Sequence, residues 1–134
     1  MSNGRSGPQP MQGDQTPLVL IIEDEEAIAD ALALVIEEAG YTVAAASSGP
    51  KALEAVQAGV RPQLIISDFM MPQMDGAVLI RAIRDVLGTD TPPIVLMSAA
   101  GLRYIRSAEA DAYLAKPFTL EAVESLLLRF LPEV

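Results

Sequence analysis

The chain alternates two hydrophobic rhythms. Short unbroken apolar runs are separated by stretches in which apolar residues recur three and four positions apart. Residues 18–22 read LVLII, as a strand buried on both faces would. Residues 25–39 carry Ile28, Leu32, Val35, Ile36 and Ala39 on one stripe, which predicts a helix, and Gly40 suits its end. Residues 42–46 make a weak, alanine-rich second strand. A short helix over 50–58 turns Ala52, Leu53 and Val56 inward and ends at Gly59. Residues 64–67 form a third strand, 77–87 a helix followed by Gly88, and 94–97 a fourth strand introduced by Pro92 and Pro93. A short helix is expected over 102–110 and a fifth strand over 112–115. Thr119 can cap a last helix that runs to Leu131 and stops at Pro132. Its stripe is Leu120, Val123, Leu127, Phe130 and Leu131, with Leu128 off it.

Strands alternating with helices in this way predict an α/β fold, a (βα)5 parallel sheet covered by helices on both faces. In such sheets the functional crevice lies beyond the carboxyl ends of the strands. Glu23, Asp24 and Asp68 all stand at such ends. Residues 1–17 are rich in Gly, Pro, Gln and Ser without periodicity and read as a flexible tail, leaving 18–134 as one folded domain.

Composition narrows the chemistry. A net charge of −9 argues against a basic nucleic-acid face. Without histidine the chain cannot be a histidine kinase, a phosphohistidine carrier or a His-based hydrolase. Without cysteine it has neither disulfides nor thiolate metal sites. No apolar run approaches the roughly 20 residues of a membrane span, and the first residues lack signal-peptide character. A cytoplasmic protein with no membrane partner is the expectation.

The stretch over 63–76, Q-L-I-I-S-D-F-M-M-P-Q-M-D-G, ends an apolar run on Asp68 and turns at once through Met-Pro. With I-I-E-D at 21–24, I-V-L-M-S-A at 94–99 and A-Y-L-A-K-P-F at 112–118, it resembles the receiver domain of two-component response regulators. The resemblance covers about residues 18–131. It implies a flavodoxin-like, doubly wound sheet of strand order 2-1-3-4-5, in which strands one and three are neighbours and bring Asp24 and Asp68 together. Three carboxylates and Lys116 would leave a charge of about −2, which one Mg²⁺ (or Mn²⁺) would balance through oxygen ligands. Glu23, Asp24, Asp68 and the backbone carbonyl of Met70 are the metal-site candidates.

By the same resemblance Asp68 accepts a phosphoryl group from a sensor histidine kinase or His-phosphotransfer protein. Ser98 and Lys116 would then meet phosphoryl oxygens, and Ser98 and Tyr113 would move together as a switch. The family's usual cis bond is expected at Lys116–Pro117. Pro72 and Gly76 are read as structural, with Asp75 in the turn before the third helix. Such a chain is not an enzyme beyond catalysing its own phosphorylation and dephosphorylation. It is expected to signal by protein contact to a downstream target that the sequence does not name.

Plainer readings stand beside these. Asp68 and Glu23 could be solvated strand-end acids, Ser98 could satisfy a backbone group, Tyr113 could be a fixed aromatic, and Lys116 could be an ordinary surface lysine. Met70, Met71 and Met74 fit loop packing better than a binding stripe. Asp30, Glu37 and Glu38 read as a solvated helix face from which Leu34 projects. Rival functions are a phosphorelay shuttle, a receiver belonging to a hybrid kinase or longer regulator, a phosphate-independent binding module, and a flavodoxin-like small-ligand binder.

Two departures from the family pattern are visible. Gln63 stands where the family often has Asp, at the strand end opposite the site. The interval from Ser98 to Tyr113 is about four residues shorter than in typical receivers, close to one helical turn. The fourth helix is therefore expected to be short, displaced or irregular, as in a subset of stand-alone receivers. That alters the face on which many receivers dimerise, and a monomer or weak phosphorylation-dependent dimer is expected.

Overall fold

A computed structural model describes residues 16–99 and 110–132. Its strands are β1 (Leu18–Ile22), β2 (Thr42–Ala46), β3 (Leu64–Asp68), β4 (Ile94–Ser98) and β5 (Ala112–Ala115). The described helices are α1 (Glu26–Glu38), α2 (Gly49–Gln57), α3 (Gly76–Leu87) and α4 (Leu120–Phe130), with one 3₁₀ turn at Gly88–Asp90. All strand pairs are parallel, and the order is β2-β1-β3-β4-β5, as the resemblance implied. The chain has a flavodoxin-like fold. The helix expected over 102–110 falls, apart from Ala110, outside the described residues, as does most of the expected tail.

The unbroken apolar strands divide their side chains between two cores. Val19, Ile21, Leu64, Ile66, Val95 and Met97 pack with Leu32 and Ile36 of α1 and Val123 and Leu127 of α4. Leu20, Ile22, Ile65, Ile94 and Leu96 face the other way, onto Val56 of α2 and Leu79, Ile80 and Ile83 of α3. Period-two alternation explains why these strands show no polar face: both faces are covered.

Helix starts follow local chemistry. Ser48, Asp75 and Thr119 accept backbone N–H groups of Lys51, Val78 and Ala122 at 3.2, 2.9 and 3.1 Å, capping α2, α3 and α4. After α1 and α2 the chain turns at Gly40 and Gly59, with φ of 104° and 113°, where a side chain would be strained.

The helical stripes differ in detail from the expected ones. In α1, Ala29 is buried while Ile28 is half-buried, and Ala39, just past the helix, is exposed. In α4, Leu126 joins the core, whereas Leu120, the first helical residue, is exposed and Phe130 half-buried. Leu53 of α2 is also half-buried. Sequence spacing gives the direction of a stripe, but the sheet's twist and each helix's crossing point decide which edge of it is covered.

At the amino ends of the strands, side chains complete the ladders. Gln63 Oε1 accepts from Leu18 N at 2.6 Å, while Gln63 N donates to Leu18 O at 2.8 Å. Asp111 Oδ2 accepts from Ile94 N at 2.8 Å, and Asp111 N donates to Ile94 O at 2.8 Å. The Tyr41 hydroxyl donates to Pro132 O at 2.9 Å and ties the end of α4 to the loop between α1 and β2.

Candidate functional site

At the other end of the sheet the strands finish on polar residues. Asp68 and Ser98, expected just beyond their strands, are the last ladder residues, paired with Met97 and Ala115. Both are buried. Glu23 follows β1 and is buried, and Asp24 beside it is exposed. Because β1 lies between β2 and β3, Glu23, Asp24 and Asp68 converge. Each offers a carboxylate oxygen, and these oxygens lie within 4.8 Å of one another. Among the described residues, this is the acidic group with metal-binding geometry.

Lys116 follows β5 and crosses to this cluster. Its backbone N–H donates to Ser98 O at 3.0 Å, continuing the β4–β5 ladder. Its ammonium donates to Glu23 Oε1 at 2.8 Å and lies 3.4 Å from Asp68 Oδ1. The lysine's closer partner is Glu23. The second oxygen of Glu23 accepts from Glu25 N at 3.1 Å.

The electrostatics follow from burial. Loss of water pushes the Asp68 carboxyl above its ordinary range; Lys116 and the Met70 N–H act to lower it, and Asp24 adds to the rise. Burial likewise raises Glu23, against the hydrogen bonds from Lys116 and Glu25 N. For Lys116, burial favours the neutral amine, but the hydrogen bond to Glu23 and the negative charges of Asp68 and Glu23 outweigh it, so its affinity for the proton is raised. Two under-solvated carboxylates beside a third, with one ammonium among them, suit a hard divalent cation.

The turn after Asp68 is tightly built. Phe69 N donates to Met97 O and Gly76 N to Phe69 O, each at 2.8 Å. A Cβ at Gly76 would lie 2.8 Å from Leu96 Cδ2 and 3.2 Å from Phe69 Cα, so any side chain there would push these neighbours aside. Pro72 and Met70 are exposed within this loop, Met71 is buried, and Met74 packs over Gly49. Tyr113 is half-buried in β5, two positions before Ala115, and packs on the α2–α3 side of the sheet. The Lys116–Pro117 peptide is cis.

Two openings adjoin the cluster. One, of about 480 Å³, lies next to Glu23 and Asp24 over Ala29, Ala45, Ala46 and Ala55, with Lys51 on its wall. The alanines that made β2 a weak strand in sequence leave this space. The other, of about 260 Å³, is an apolar groove between Ala27, Ile28 and Ala31 of α1 and Pro117 and Phe118 beside Lys116. Sequence reasoning missed the Glu25 N–H and the two ladder clips of Gln63 and Asp111. For the clips, a polar side chain just before an apolar strand was the only available signal.

A doubly wound parallel domain with an acidic crevice at its strand ends is the class that fold and site define. The sequence matches the family model of the response regulator receiver domain over residues 19–128, and the chain belongs to that family. It is 38% identical over 110 residues to the response regulator MprA of Mycobacterium ulcerans, covering 77% of this chain and 45% of that protein. The chain spans about half the length of the curated relatives it matches. Among solved structures, the chemotaxis protein CheY4 of Vibrio cholerae superposes with a TM-score of 0.77 at 29% identity, over 87% of this chain and 99% of that one. The receiver domain of Francisella response regulator 1452 gives a TM-score of 0.71 at 28% identity, over 85% and 98%. Among the described residues no helix is long and apolar enough to cross a membrane.

Proposed function

We propose that Asp68 accepts a phosphoryl group from a phosphohistidine of a sensor histidine kinase or phosphotransfer protein, and that the phosphorylated chain signals through protein contact. The observation that carries this is the convergence of buried Asp68 with Glu23, Asp24 and Lys116 at the end of the sheet. Membership of the receiver family supports it. An Asp68 carboxylate oxygen attacks phosphorus as the phosphorus–nitrogen bond of the donor breaks. The electron pair returns to the imidazole nitrogen, which takes up a proton, and an acyl phosphate remains on Asp68.

Glu23, Asp24, Asp68 and the Met70 carbonyl would hold Mg²⁺ or Mn²⁺. When bound, the cation neutralises charge on the transferring oxygens. Lys116, already between Glu23 and Asp68, supplies a positive charge to the oxygens arriving on Asp68. Ser98, buried at the end of the neighbouring strand, supplies a hydroxyl. The apolar groove beside Lys116 offers a donor protein a contact surface next to the reacting atoms.

Incubation with acetyl phosphate and Mg²⁺, followed by intact-mass measurement, tests the acceptor. The expected result is a single labile phosphoryl adduct that Asp68→Asn lacks; undiminished labelling of the variant refutes the assignment. Ser98 and Tyr113 we read as the switch pair, Tyr113 turning inward as Ser98 moves toward the phosphoryl group. Addition of beryllofluoride is expected to shift the Tyr113 ring resonances, and an unchanged aromatic spectrum removes the switch. Transfer of label onward to a histidine-containing protein would make the chain a relay shuttle instead of an end point.

A further inference from the structure

β2 is one edge of the sheet and pairs only with β1. In a parallel ladder, alternate residues of a strand bond to the same neighbour. Thr42 N donates to Pro17 O and Ala46 O accepts from Glu23 N, each at 3.1 Å, so Thr42, Ala44 and Ala46 serve the ladder to β1. Val43 and Ala45 therefore each turn one N–H and one C=O out of the sheet. Among the described residues no group meets them there. Edge strands are commonly blunted by a lysine, a proline or a bulge. β2 reads T-V-A-A-A and has none of these, and its register against β1 is unbroken from Thr42 to Ala46. Ala45 is exposed.

The cavity of about 480 Å³ adjoins this strand. Its walls come from α1, on one face of the sheet, and α2, on the other, with Ala45, Ala46 and Ser47 between them. Four alanines line it, and its charges are unbalanced. Beyond Glu23 and Asp24, which belong to the acceptor site, it holds Glu26 and Asp30, with Lys51 as its cation. Glu26 and Asp30 are exposed, and neither forms an ion pair among the described residues. Small side chains leave room for a long one, and the excess of negative charge selects a positive one. The chain's own net charge of −9 disfavours a second copy as the occupant.

We propose that the outer edge of β2 docks an extended basic segment of a partner protein. The segment adds to the five-stranded sheet by bonding to Val43 and Ala45, and it sets a lysine or arginine in the cavity beside Glu26 and Asp30. Main-chain hydrogen bonds supply the affinity of such a contact, and alternate side chains supply its selectivity. An added strand lies about 4.8 Å from its neighbour, so a long basic side chain on it reaches the cavity. This surface shares no residue with the apolar groove beside Lys116. It stands without the acceptor role of Asp68, and a partner held there leaves that groove to a phosphoryl donor.

NMR titration of the full chain tests it. The probes are two capped peptides of alternating threonine and valine, one with a central arginine and one with a central glutamate. With the arginine peptide at millimolar concentration, the Val43 and Ala45 amide resonances are expected to shift and their exchange with water to slow. The Thr42 and Ala44 amides, already bonded to β1, are expected to keep their exchange rates. The glutamate peptide is expected to bind about tenfold more weakly, and Glu26→Gln combined with Asp30→Asn to weaken the arginine peptide about threefold. Ala45→Pro removes an outward N–H without touching the β1 ladder, and is expected to abolish binding while keeping the parent's circular dichroism. Absence of shifts at Val43 and Ala45, or equal affinity for the two peptides, overturns the proposal. Undiminished binding by the Glu26, Asp30 variant overturns it as well; both substitutions are exposed, so this arm decides even if Ala45→Pro misfolds. A dimer in sedimentation velocity that Ala45→Pro disrupts would assign the edge to a second copy and overturn it too.

Discussion

The two ends of the sheet treat polar side chains in opposite ways. At the amino ends, Gln63 and Asp111 each place one side-chain oxygen on one unpaired backbone N–H, Leu18 N and Ile94 N. Donor and acceptor match, and the ladders close. At the carboxyl ends, Glu23, Asp24 and Asp68 face one another with Lys116 as the counter-charge, and burial pushes Glu23 and Asp68 toward the protonated form. One end uses polarity to complete the fold. The other stores unfavourable electrostatics that a cation or a phosphoryl group can relieve. Receiver function is accordingly expected to be separable from stability by substitutions at the two ends.

The sharpest break is Asp68→Asn. It is expected to abolish phosphoryl labelling by mass spectrometry while raising the melting temperature of the metal-free protein, because it removes a buried repelling charge. A stability loss in that variant would mean that the carboxylate end holds the fold together as well. Gly76→Ala, in the loop that supports Asp68, is expected to cost about 1–3 kcal/mol in urea unfolding, because the added methyl meets Leu96 and the backbone of Phe69. Asp111→Ala, at the opposite end, is expected to cost about 1 kcal/mol by leaving Ile94 N unpaired, with labelling retained.

Mg²⁺ at tenfold its dissociation constant is expected to stabilise the parent by about 1.4 kcal/mol, and Asp68→Asn to lose most of that gain. A thermal-shift titration measures both.

The smallest effect is on pH dependence. With Glu23 and Asp68 raised above their ordinary values of 4.5 and 3.8, the folded chain holds more protons than the unfolded one between those values and the raised ones. The contribution of these groups to stability therefore falls as pH rises through that window and returns on acidification. Melting curves of metal-free protein across that window are expected to show it, and Asp68→Asn to flatten it. Equal slopes in parent and variant would assign the trend to the general negative charge of the chain.

Much of this was legible in the residues. Unbroken apolar runs such as LVLII announced strands covered on both faces, and Ser48, Asp75 and Thr119 marked helix starts through their own hydrogen-bonding chemistry. Asp68 stood out because an acid at the end of such a run is left at the mouth of the crevice. The helix edges were less legible. Ile28 and Leu120 satisfy the spacing yet lie outside the packed core, because burial depends on where a helix crosses the sheet. The lysine's preference was not legible at all, since Glu23 and Lys116 are 93 residues apart and spacing carries no distance between strand ends.

By itself, then, the sequence determined the alternation of strands and helices, the identity of the acids at the strand ends, and the absence of histidine and cysteine chemistry. These depend on local periodicity and on residue type. Only the tertiary structure decided that Glu23 is buried while Asp24 is exposed, that Lys116 grips the first of these more closely than Asp68, and that a side chain at Gly76 would crowd Leu96 and Phe69. Those facts depend on which strands lie side by side and how far each side chain reaches across them. Parallel strands joined by crossovers bring together residues that the chain itself keeps far apart.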